Sequence, residues 1–306
     1  MEDARIGVAV SGGPDSLALL LLAHATRPGM VEAATIDHSL RPENGEEAAM
    51  VAQLCHSIGV PHTIARVTLA RGNVQARARE ARYAALGEWA ERRGLAAVLT
   101  AHHADDQAET LLMRLNRGSG LAGLAAVRAA APLGETLFVA RPLLGWRKAE
   151  LEAVCTTAGI EPARDPSNDN ADFDRVRIRK ALSQADWLDP LALARSAGHL
   201  AEALDTIQLF ADELWEDSVV EDGRGGYRFH PDAARVLNIE VIARILETLG
   251  ANARRSEVAR LHDRLVDGDN ASLGGVLAQP SYELVEEQGV EVPLWTFAPE
   301  PPRTVH

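Results

Sequence analysis

Near the start of the chain, one short loop has the composition of an anion-binding site: Ser11-Gly12-Gly13-Pro14-Asp15-Ser16. It lies between the apolar run 6–10, typical of a buried strand, and the apolar run 17–22, typical of a packed helix. The N–H groups and the dipole of a helix N-terminus attract phosphate, and glycines let the backbone approach it closely. Ser11 and Ser16 add hydroxyl donors. The loop therefore predicts a phosphate-binding site.

The loop differs from a Walker A motif, because it lacks that motif's glycine spacing and its phosphate-binding lysine. It resembles instead the pyrophosphate-binding loop of enzymes that split ATP between its α- and β-phosphates. An ordinary turn between a strand and a helix has the same types of residue. The loop by itself therefore does not name a substrate.

Carboxylates follow two further segments that have the pattern of strands. Asp37 comes directly after the segment 31–36, and Asp106 lies in a predicted helix that follows the segment 96–100. Glu109 is three residues beyond Asp106, so both carboxylates share one helix face. Magnesium binds to one or two carboxylates together with phosphate oxygens, which makes Asp37 and Asp106 candidate ligands. Helix capping and polar packing are the alternative roles for these side chains.

Two arginine-rich segments, 77–82 and 175–179, are candidates for contact with phosphate or RNA. Helical spacing puts Arg79, Arg82 and Tyr83 on one side of the first segment. A solvated helix face is the alternative for either segment. The candidate binding residues are Arg77, Arg79, Arg82, Glu109, Arg117, Arg175 and Arg177.

Patterns of strands and helices alternate through the first part of the chain. Strands are predicted at 6–10, 31–36, 63–64, 96–100 and 137–139, and helices at 17–22, 46–58, 74–93, 105–117 and 148–158. This alternation favours an α/β fold, a doubly wound parallel sheet with helices on both faces. Ligands bind such sheets at the carboxyl ends of the strands, so we expect Ser11, Asp37 and His102 to share one crevice.

After residues 161–172 the pattern changes to helices with few strands. Residues 191–215, 236–249 and 256–266 predict helices, and the segments 271–277 and 282–285 predict a closing hairpin. We therefore expect a second, smaller α+β domain. The predicted division is a catalytic domain at 1–186, a helical linker at 187–218 and a small C-terminal domain at 219–306.

The bulk properties are those of a globular protein, with 46% hydrophobic and 25% charged residues. The sequence has no apolar run of the roughly 18 residues that a membrane span needs. Cys55 and Cys155 are a hundred residues apart and form no metal-binding motif, which favours the cytoplasm. The net charge of −13 is uneven: residues 184–306 hold 22 acidic and 10 basic residues, whereas residues 1–183 hold 22 and 21. An RNA-binding surface is therefore compatible with the first part.

Taken in order, the motifs resemble those of the bacterial tRNA(Ile)-lysidine synthetases over about residues 6–183. The matching segments are 11–16, 36–41, 75–83, 100–110, 117–124, 141–144 and 165–168. Leu273-Gly274-Gly275 resembles that family's C-terminal domain, which implies that the small domain at 219–306 recognises tRNA. One position departs from the family: Val176 follows Arg175 where an asparagine is common, so any role of that amide is absent or supplied elsewhere.

The resemblance implies a PP-loop domain of the adenine nucleotide α-hydrolase-like fold that ligates lysine to the wobble cytidine of a tRNA(Ile) with a CAU anticodon. The cytidine is adenylated by ATP with release of pyrophosphate, and lysine then displaces AMP, which switches the tRNA from Met to Ile specificity. The implied cofactors and partners are ATP, Mg²⁺, free L-lysine and the tRNA, with a homodimer as one arrangement. The resemblance also implies that residues 11–16 bind pyrophosphate and that Asp37 and Asp106 hold Mg²⁺ or the lysine ammonium. Arg179 then faces the α-phosphate or the activated cytidine.

Three other functions stay open on the sequence alone. A tRNA thiolase of the same superfamily typically carries Cys-x-x-Cys pairs, and this sequence has none. An amidotransferase-linked synthetase needs an ammonia source, and no Cys/His glutaminase signature is present. A non-enzymatic nucleotide-binding module does not need the acidic cluster at 105–109 beside the phosphate loop.

Overall fold

The computed structural model describes residues 4–37, 43–67, 74–163, 174–285 and 289–300 of the 306-residue chain. The sequence motifs at 38–41 and 165–168, and most of the predicted 161–172 loop, lie outside the described residues. The chain divides into two compact units, 1–201 and 202–306. Among the described helices, none is long and apolar enough to cross a bilayer.

The first unit alternates strands and helices, as the sequence predicts. Its strands are β1 (Ile6–Ala9), β2 (Val31–Asp37), β3 (His62–Arg66), β4 (Ala97–Leu99), β5 (Ala130–Leu133) and β6 (Leu137–Ala140). Its helices include α1 (Pro14–Thr26), α2 (Glu43–Ser57), α3 (Val74–Arg93), α4 (Ala104–Asn116), α5 (Leu121–Leu124), α6 (Lys148–Thr157) and α7 (Asp174–Gln184). Strand β5, whose residues include Pro132, was not predicted.

The sheet has the strand order β3-β2-β1-β4-β6-β5. All neighbouring strands are parallel except β5, which pairs antiparallel with β6. The chain proceeds outward from β1 to β2 and β3 on one side, and then continues from β4 on the other side. The gap between the ends of β1 and β4 is therefore the switch point at which such folds bind ligands.

Apolar side chains cover both faces of the sheet, which confirms the predicted doubly wound fold. On one face, Leu17 of α1, Val51 of α2 and Leu151 of α6 pack into a single cluster. On the other face, Trp89 of α3 packs with Leu133 and Leu137. Gly7 of β1 makes room for this tryptophan, because a Cβ at Gly7 would lie 2.6 Å from the Trp89 ring. A larger residue in the centre of β1 would push α3 off the sheet.

The second unit contains an antiparallel sheet in the order β7-β8-β11-β10-β9. Its elements are β7 (Val219–Glu221), β8 (Tyr227–Phe229), α9 (Arg235–Thr248), α10 (Arg255–Val266), β9 (Ala271–Leu273), β10 (Val276–Val285) and β11 (Val290–Pro299). A further helix, α8 (Pro190–Ser218), runs without a break through the boundary between the units. Within this second unit, Phe229, Ile242, Leu265 and Phe297 belong to one buried core.

The predicted hairpin between 271–277 and 282–285 is wrong, because both segments contribute to β10. Strand β9 turns at Gly274-Gly275 and pairs with the start of β10, and β10 then pairs along its whole length with β11. Pro280 lies inside β10, opposite Trp295. Strand β9 pairs with residues 276–278 of β10, so Pro280 lies beyond that pairing, at an open edge where a proline is tolerated.

Candidate active site

The predicted phosphate loop joins β1 to α1 at the switch point of the sheet. Gly12 has φ +91°, a left-handed conformation that favours glycine, and Gly13 is the N-cap with Pro14 at the first helical position. The Ser16 hydroxyl donates to the Gly13 carbonyl at 3.0 Å and accepts the Ser11 backbone N–H at 3.1 Å. Ser16 is buried. Its hydroxyl therefore holds the loop closed, in addition to the phosphate contact expected from the sequence.

Two adjoining cavities lie beside this loop, with volumes of about 800 Å³ and 410 Å³. Both are lined by the loop and by side chains from α4 and α7; the shared residues are Ser11, Gly13, Asp15, Asp106 and Arg175. The larger cavity also contains Lys148, Glu152 and Arg179. The smaller one contains Arg79, Arg82 and His102. The two cavities are therefore two compartments of one crevice, and they differ in the side chains that line them.

His103 connects the phosphate loop to α4. It is the N-cap of α4: in the neutral imidazole Nδ1 accepts the Asp106 backbone N–H at 3.4 Å, and Asp106 Oδ2 accepts the His103 backbone N–H at 3.2 Å. The His103 Nε2 lies 3.6 Å from Asp15 Oδ2 and 3.5 Å from Asp106 Oδ2. Burial alone would lower the pKa of His103, but the surrounding carboxylates of Asp15, Asp106 and Asp105 outweigh it and raise that pKa. The His103 imidazole thus brings the carboxylates of Asp15 and Asp106 close to its Nε2 atom.

Asp105 connects α4 to α6 and does not cap its own helix. Its Oδ2 accepts the backbone N–H of Lys148 at 2.8 Å, and its Oδ1 accepts from Arg147 Nη2 at 3.0 Å. Burial would raise the pKa of Asp105, but the Arg147 guanidinium and the Lys148 N–H lower it. Lys148 is thereby fixed as the first residue of α6 at the rim of the larger cavity.

Glu109 binds two arginines of α7, which confirms that Asp106 and Glu109 share one face of α4. Its carboxylate accepts from Arg175 Nε at 2.7 Å and from Arg179 Nε at 2.6 Å. Asp106 Oδ1 accepts from Arg175 Nη2 at 3.2 Å. The pKa of Arg179 is raised by its hydrogen bond to Glu109. Val176, where the family often has asparagine, is buried in the same helix and supplies packing.

The smaller cavity has a cationic wall, formed by Arg79 and Arg82 of α3. The guanidinium carbons of Arg79 and Arg82 lie 5.0 Å and 5.3 Å from the centre of the Tyr83 ring, which agrees with the helical side predicted for them. His102 donates to or accepts from the Thr100 hydroxyl through Nδ1 at 3.1 Å. Burial, together with Arg141, Arg79, Arg82 and Arg175, lowers the pKa of His102 to about 3. At neutral pH this imidazole is therefore uncharged.

Other predicted site residues lie elsewhere in the first unit. Asp37 ends β2 with its Oδ2 3.8 Å from Arg66 Nε, and it is not among the described residues that line either cavity. Arg117 and Arg177 both pair with Asp174 at the exposed ends of α4 and α7. Arg77 is exposed on α3. The crevice thus unites the loop, Asp106, Arg79, Arg82, Arg175 and Arg179. Glu109 is buried and binds the last two arginines, and the other predicted residues do not line the crevice.

Lys148 and Glu47 line the larger cavity and were not selected from the sequence. The sequence does contain an indication that Lys148 is functional. It is one of two lysines in the chain, and it begins a predicted helix, where the helix dipole disfavours a cation. The described residues contain no group of three or more His, Cys, Asp or Glu that could hold a metal ion. A metal bound partly by phosphate needs fewer protein ligands, and Asp15 and Asp106 both face the crevice. The buried Oδ1 of Asp15 has no hydrogen-bond partner within the described structure.

Comparison with known proteins agrees with this geometry. The PP-loop domain family matches residues 1–186. The chain is 47% identical over 277 residues to the tRNA(Ile)-lysidine synthase of Novosphingobium aromaticivorans, covering 89% of this chain and 85% of that protein. It is 39% identical over 306 residues to the enzyme of that name from Zymomonas mobilis, covering 98% and 89%.

Among solved structures, the U34-tRNA thiolase NcsA from Methanococcus maripaludis, which carries a [4Fe-4S] cluster, has a similar fold. The TM-score is 0.56 at 16% identity, over 66% of this chain and 72% of that one. At this identity the likeness shows the fold alone. The extent of the sequence match decides the family instead: this chain belongs to the tRNA(Ile)-lysidine synthases, ATP-dependent ligases built on a PP-loop domain.

Proposed function

We propose that this enzyme joins the ε-amine of free lysine to the wobble cytidine of a tRNA(Ile) with a CAU anticodon, and that ATP is split to AMP and pyrophosphate. The observation that carries the proposal is the shared lining of the two cavities. Ser11 and Asp15 of the phosphate loop, Asp106 of α4 and Arg175 of α7 border both compartments. In this proposal the phosphates of ATP lie in one compartment and a second reactant in the other, with these four residues between them.

In the first step, the 2-carbonyl oxygen of the cytidine attacks the α-phosphorus of ATP. The bond from that phosphorus to the bridging oxygen breaks, and its electron pair leaves with pyrophosphate. Backbone N–H groups of the loop and the N-terminus of α1 stabilise the negative charge on this leaving group. Arg179, held by Glu109 at the larger cavity, stabilises the charge on the α-phosphate. The cytidine must leave its base stack to reach this position.

We assign magnesium to Asp15 and Asp106, together with phosphate oxygens. These carboxylates come from different elements, and both lie within 3.6 Å of the same nitrogen of His103. The unpartnered Oδ1 of Asp15 fits a cation that is bound along with the nucleotide. When bound, the ion offsets the charge that develops on the phosphates. For Asp37, which the sequence also selected, a role as metal or ammonium ligand stays a prediction.

In the second step, the ε-amine attacks C2 of the adenylated cytidine, and AMP leaves with the former carbonyl oxygen. The amine must lose its proton, because an ammonium has no electron pair with which to attack. Once pyrophosphate has left, the Asp106 carboxylate faces the incoming ammonium and accepts that proton. The uncharged His102 and the Arg79–Arg82 wall border the compartment on this side.

We propose that tRNA phosphates contact the arginines of α3, including Arg77, Arg79 and Arg82, with Arg117 and Arg177 as further contacts. This assignment is supported by the charge of the chain, since residues 184–306 carry most of the acidic excess. Modification of tRNA in the cytoplasm fits these substrates, and a homodimer stays a prediction.

Omission of single substrates tests the proposed reaction. With ATP, lysine and tRNA(Ile) transcript, AMP and pyrophosphate should form in step with lysine incorporation. Omission of lysine should stop turnover after the first step, and a transcript with uridine in place of the wobble cytidine should give no AMP. Formation of ADP and inorganic phosphate would overturn the proposal. ATP binding without any turnover would instead indicate a nucleotide-binding module.

A further inference from the structure

Lys148 lies in the larger cavity, beside the phosphate loop. It is the first residue of α6, and its side chain lines that cavity together with Ser11, Gly13 and Asp15. It does not line the smaller cavity, where Arg79, Arg82 and His102 are found. Lys148 therefore lies at the end of the crevice that is away from Arg79, Arg82 and His102.

The backbone of Lys148 is fixed by a neighbouring element. Asp105 of α4 accepts the Lys148 N–H at 2.8 Å and binds the guanidinium of Arg147 at 3.0–3.2 Å. Since α4 also carries Asp106, this contact sets the start of α6 at a constant distance from the carboxylates of the crevice. The backbone of Lys148 is thus fixed, while its flexible four-carbon side chain can extend into the cavity.

Lys148 differs from the arginines of the same cavity in whether its charge is paired with a carboxylate. Arg175 and Arg179 are both paired with carboxylates of α4. For the Lys148 ammonium, the described part of the chain offers neither an ion pair nor a side-chain hydrogen bond. Its position in the first turn of a helix also opposes the helix dipole, which favours acidic residues there. A residue type that is unfavourable for the local helix structure in this way is typical of a functional position.

We propose that the Lys148 ammonium binds the β- and γ-phosphates of ATP and then the pyrophosphate that leaves. The inference rests on the proposed function, since it requires the phosphates to lie on the loop 11–16. The loop supplies neutral N–H donors, whereas Lys148 supplies a full positive charge in the larger cavity, away from the smaller one. It thereby stabilises the electron pair that pyrophosphate takes from the α-phosphorus. No proton transfer is required of it.

Nucleotide binding to the full-length protein tests this assignment. In calorimetric titrations with Mg²⁺, Lys148→Met should raise the Kd for ATP about tenfold or more, because a charged contact is lost. The Kd for AMP should change less than about twofold, since AMP lacks the two outer phosphates. Lys180→Met is the matched control: it removes the only other lysine, which is exposed on α7, and should leave both constants unchanged. Lys148→Arg, which keeps the charge, should restore much of the ATP affinity.

Equal ATP affinity in wild-type protein and Lys148→Met would overturn the inference and leave the proposed reaction intact. Absence of ATP binding by the wild-type protein would overturn both. A second measurement uses no variant. Acetylation of the two lysines is followed by peptide mass spectrometry, and ATP or pyrophosphate should slow the modification of Lys148 while AMP does not. Lys180 should react at the same rate throughout. Equal modification of Lys148 with and without pyrophosphate would also overturn the inference.

Discussion

Arg179 of α7 donates its Nε–H to Glu109 Oε1 of α4 across 2.6 Å, and the Glu109 side chain is only 2% exposed. The same carboxylate binds Arg175, one helical turn earlier, at 2.7 Å. A single buried charge thus sets the position of two arginines that border the crevice. Glu109 therefore acts on the reaction by positioning Arg175 and Arg179.

Replacement of Glu109 should separate this positioning role from stability. Glu109→Gln keeps the size of the side chain but removes the charge, so we expect the rate of cytidine adenylation to fall about a hundredfold. Both arginines are about two-fifths exposed and can be hydrated, so the loss of stability should be only about 1 kcal/mol. Single-turnover release of pyrophosphate and a thermal melt measure the two effects. Asp263→Asn, which removes the partner of Arg235 in the second unit, is the control. A normal rate in Glu109→Gln would contradict the positioning role.

The phosphate loop should depend on the Ser16 hydroxyl for its shape. Ser16→Ala leaves the Ser11 N–H without its acceptor and the Gly13 carbonyl without its hydroxyl donor, so the loop loses both contacts that hold it closed. We expect weaker ATP binding and a rate loss of about a hundredfold. Ser57→Ala removes an exposed hydroxyl at the end of α2 that donates to the Leu54 carbonyl, and should change neither property. If Ser16→Ala binds and turns over ATP normally, the hydroxyl is only a helix-start residue.

Asp106 and Asp37 should respond differently to loss of their charge. Asp106→Asn removes a carboxylate from both compartments of the crevice, so lysine transfer should be lost and excess magnesium should restore part of it. Asp37→Asn changes a carboxylate that is not among the described lining residues of either cavity, and it tests the role that the sequence indicates for this carboxylate. Lysine incorporation over a magnesium titration gives the result. Full activity of Asp106→Asn would refute its assignment, and full activity of Asp37→Asn would leave that residue as an ion-pair partner of Arg66.

Stability should depend on pH through His103, whose pKa is raised above its ordinary value of 6.5 by nearby carboxylates. Between the unfolded and the folded pKa, the folded protein binds more protons than the unfolded chain. The stabilisation is therefore complete below pH 6.5 and is lost as the pH rises through the folded pKa. His103→Asn keeps a helix cap but cannot titrate in this range. The difference in Tm between wild type and variant should therefore shrink as the pH rises above 6.5. A constant difference would exclude a charged His103.

The sequence predicted the first unit well, because strand and helix periods alternate and the phosphate loop lies between two strong apolar runs. It failed in the second unit, where Gln279-Pro280-Ser281 has the composition of a turn but continues β10. Only the three-dimensional pairing shows that Pro280 faces an open edge. The same limit applies to the site. The contacts of Asp105 with α6 and of Glu109 with α7 join residues 42 to 70 positions apart, and no local pattern encodes them.

The modified nucleoside itself gives the most direct test of the central claim. The tRNA(Ile) transcript with a CAU anticodon is incubated with the enzyme, ATP and isotope-labelled lysine, digested to nucleosides and analysed by mass spectrometry. Attack of the ε-amine on C2, with loss of the carbonyl oxygen to AMP, predicts one product: the wobble cytidine heavier by lysine less one water, carrying the label. An unmodified cytidine, a sulfur-containing nucleoside or label at any other position would contradict the account.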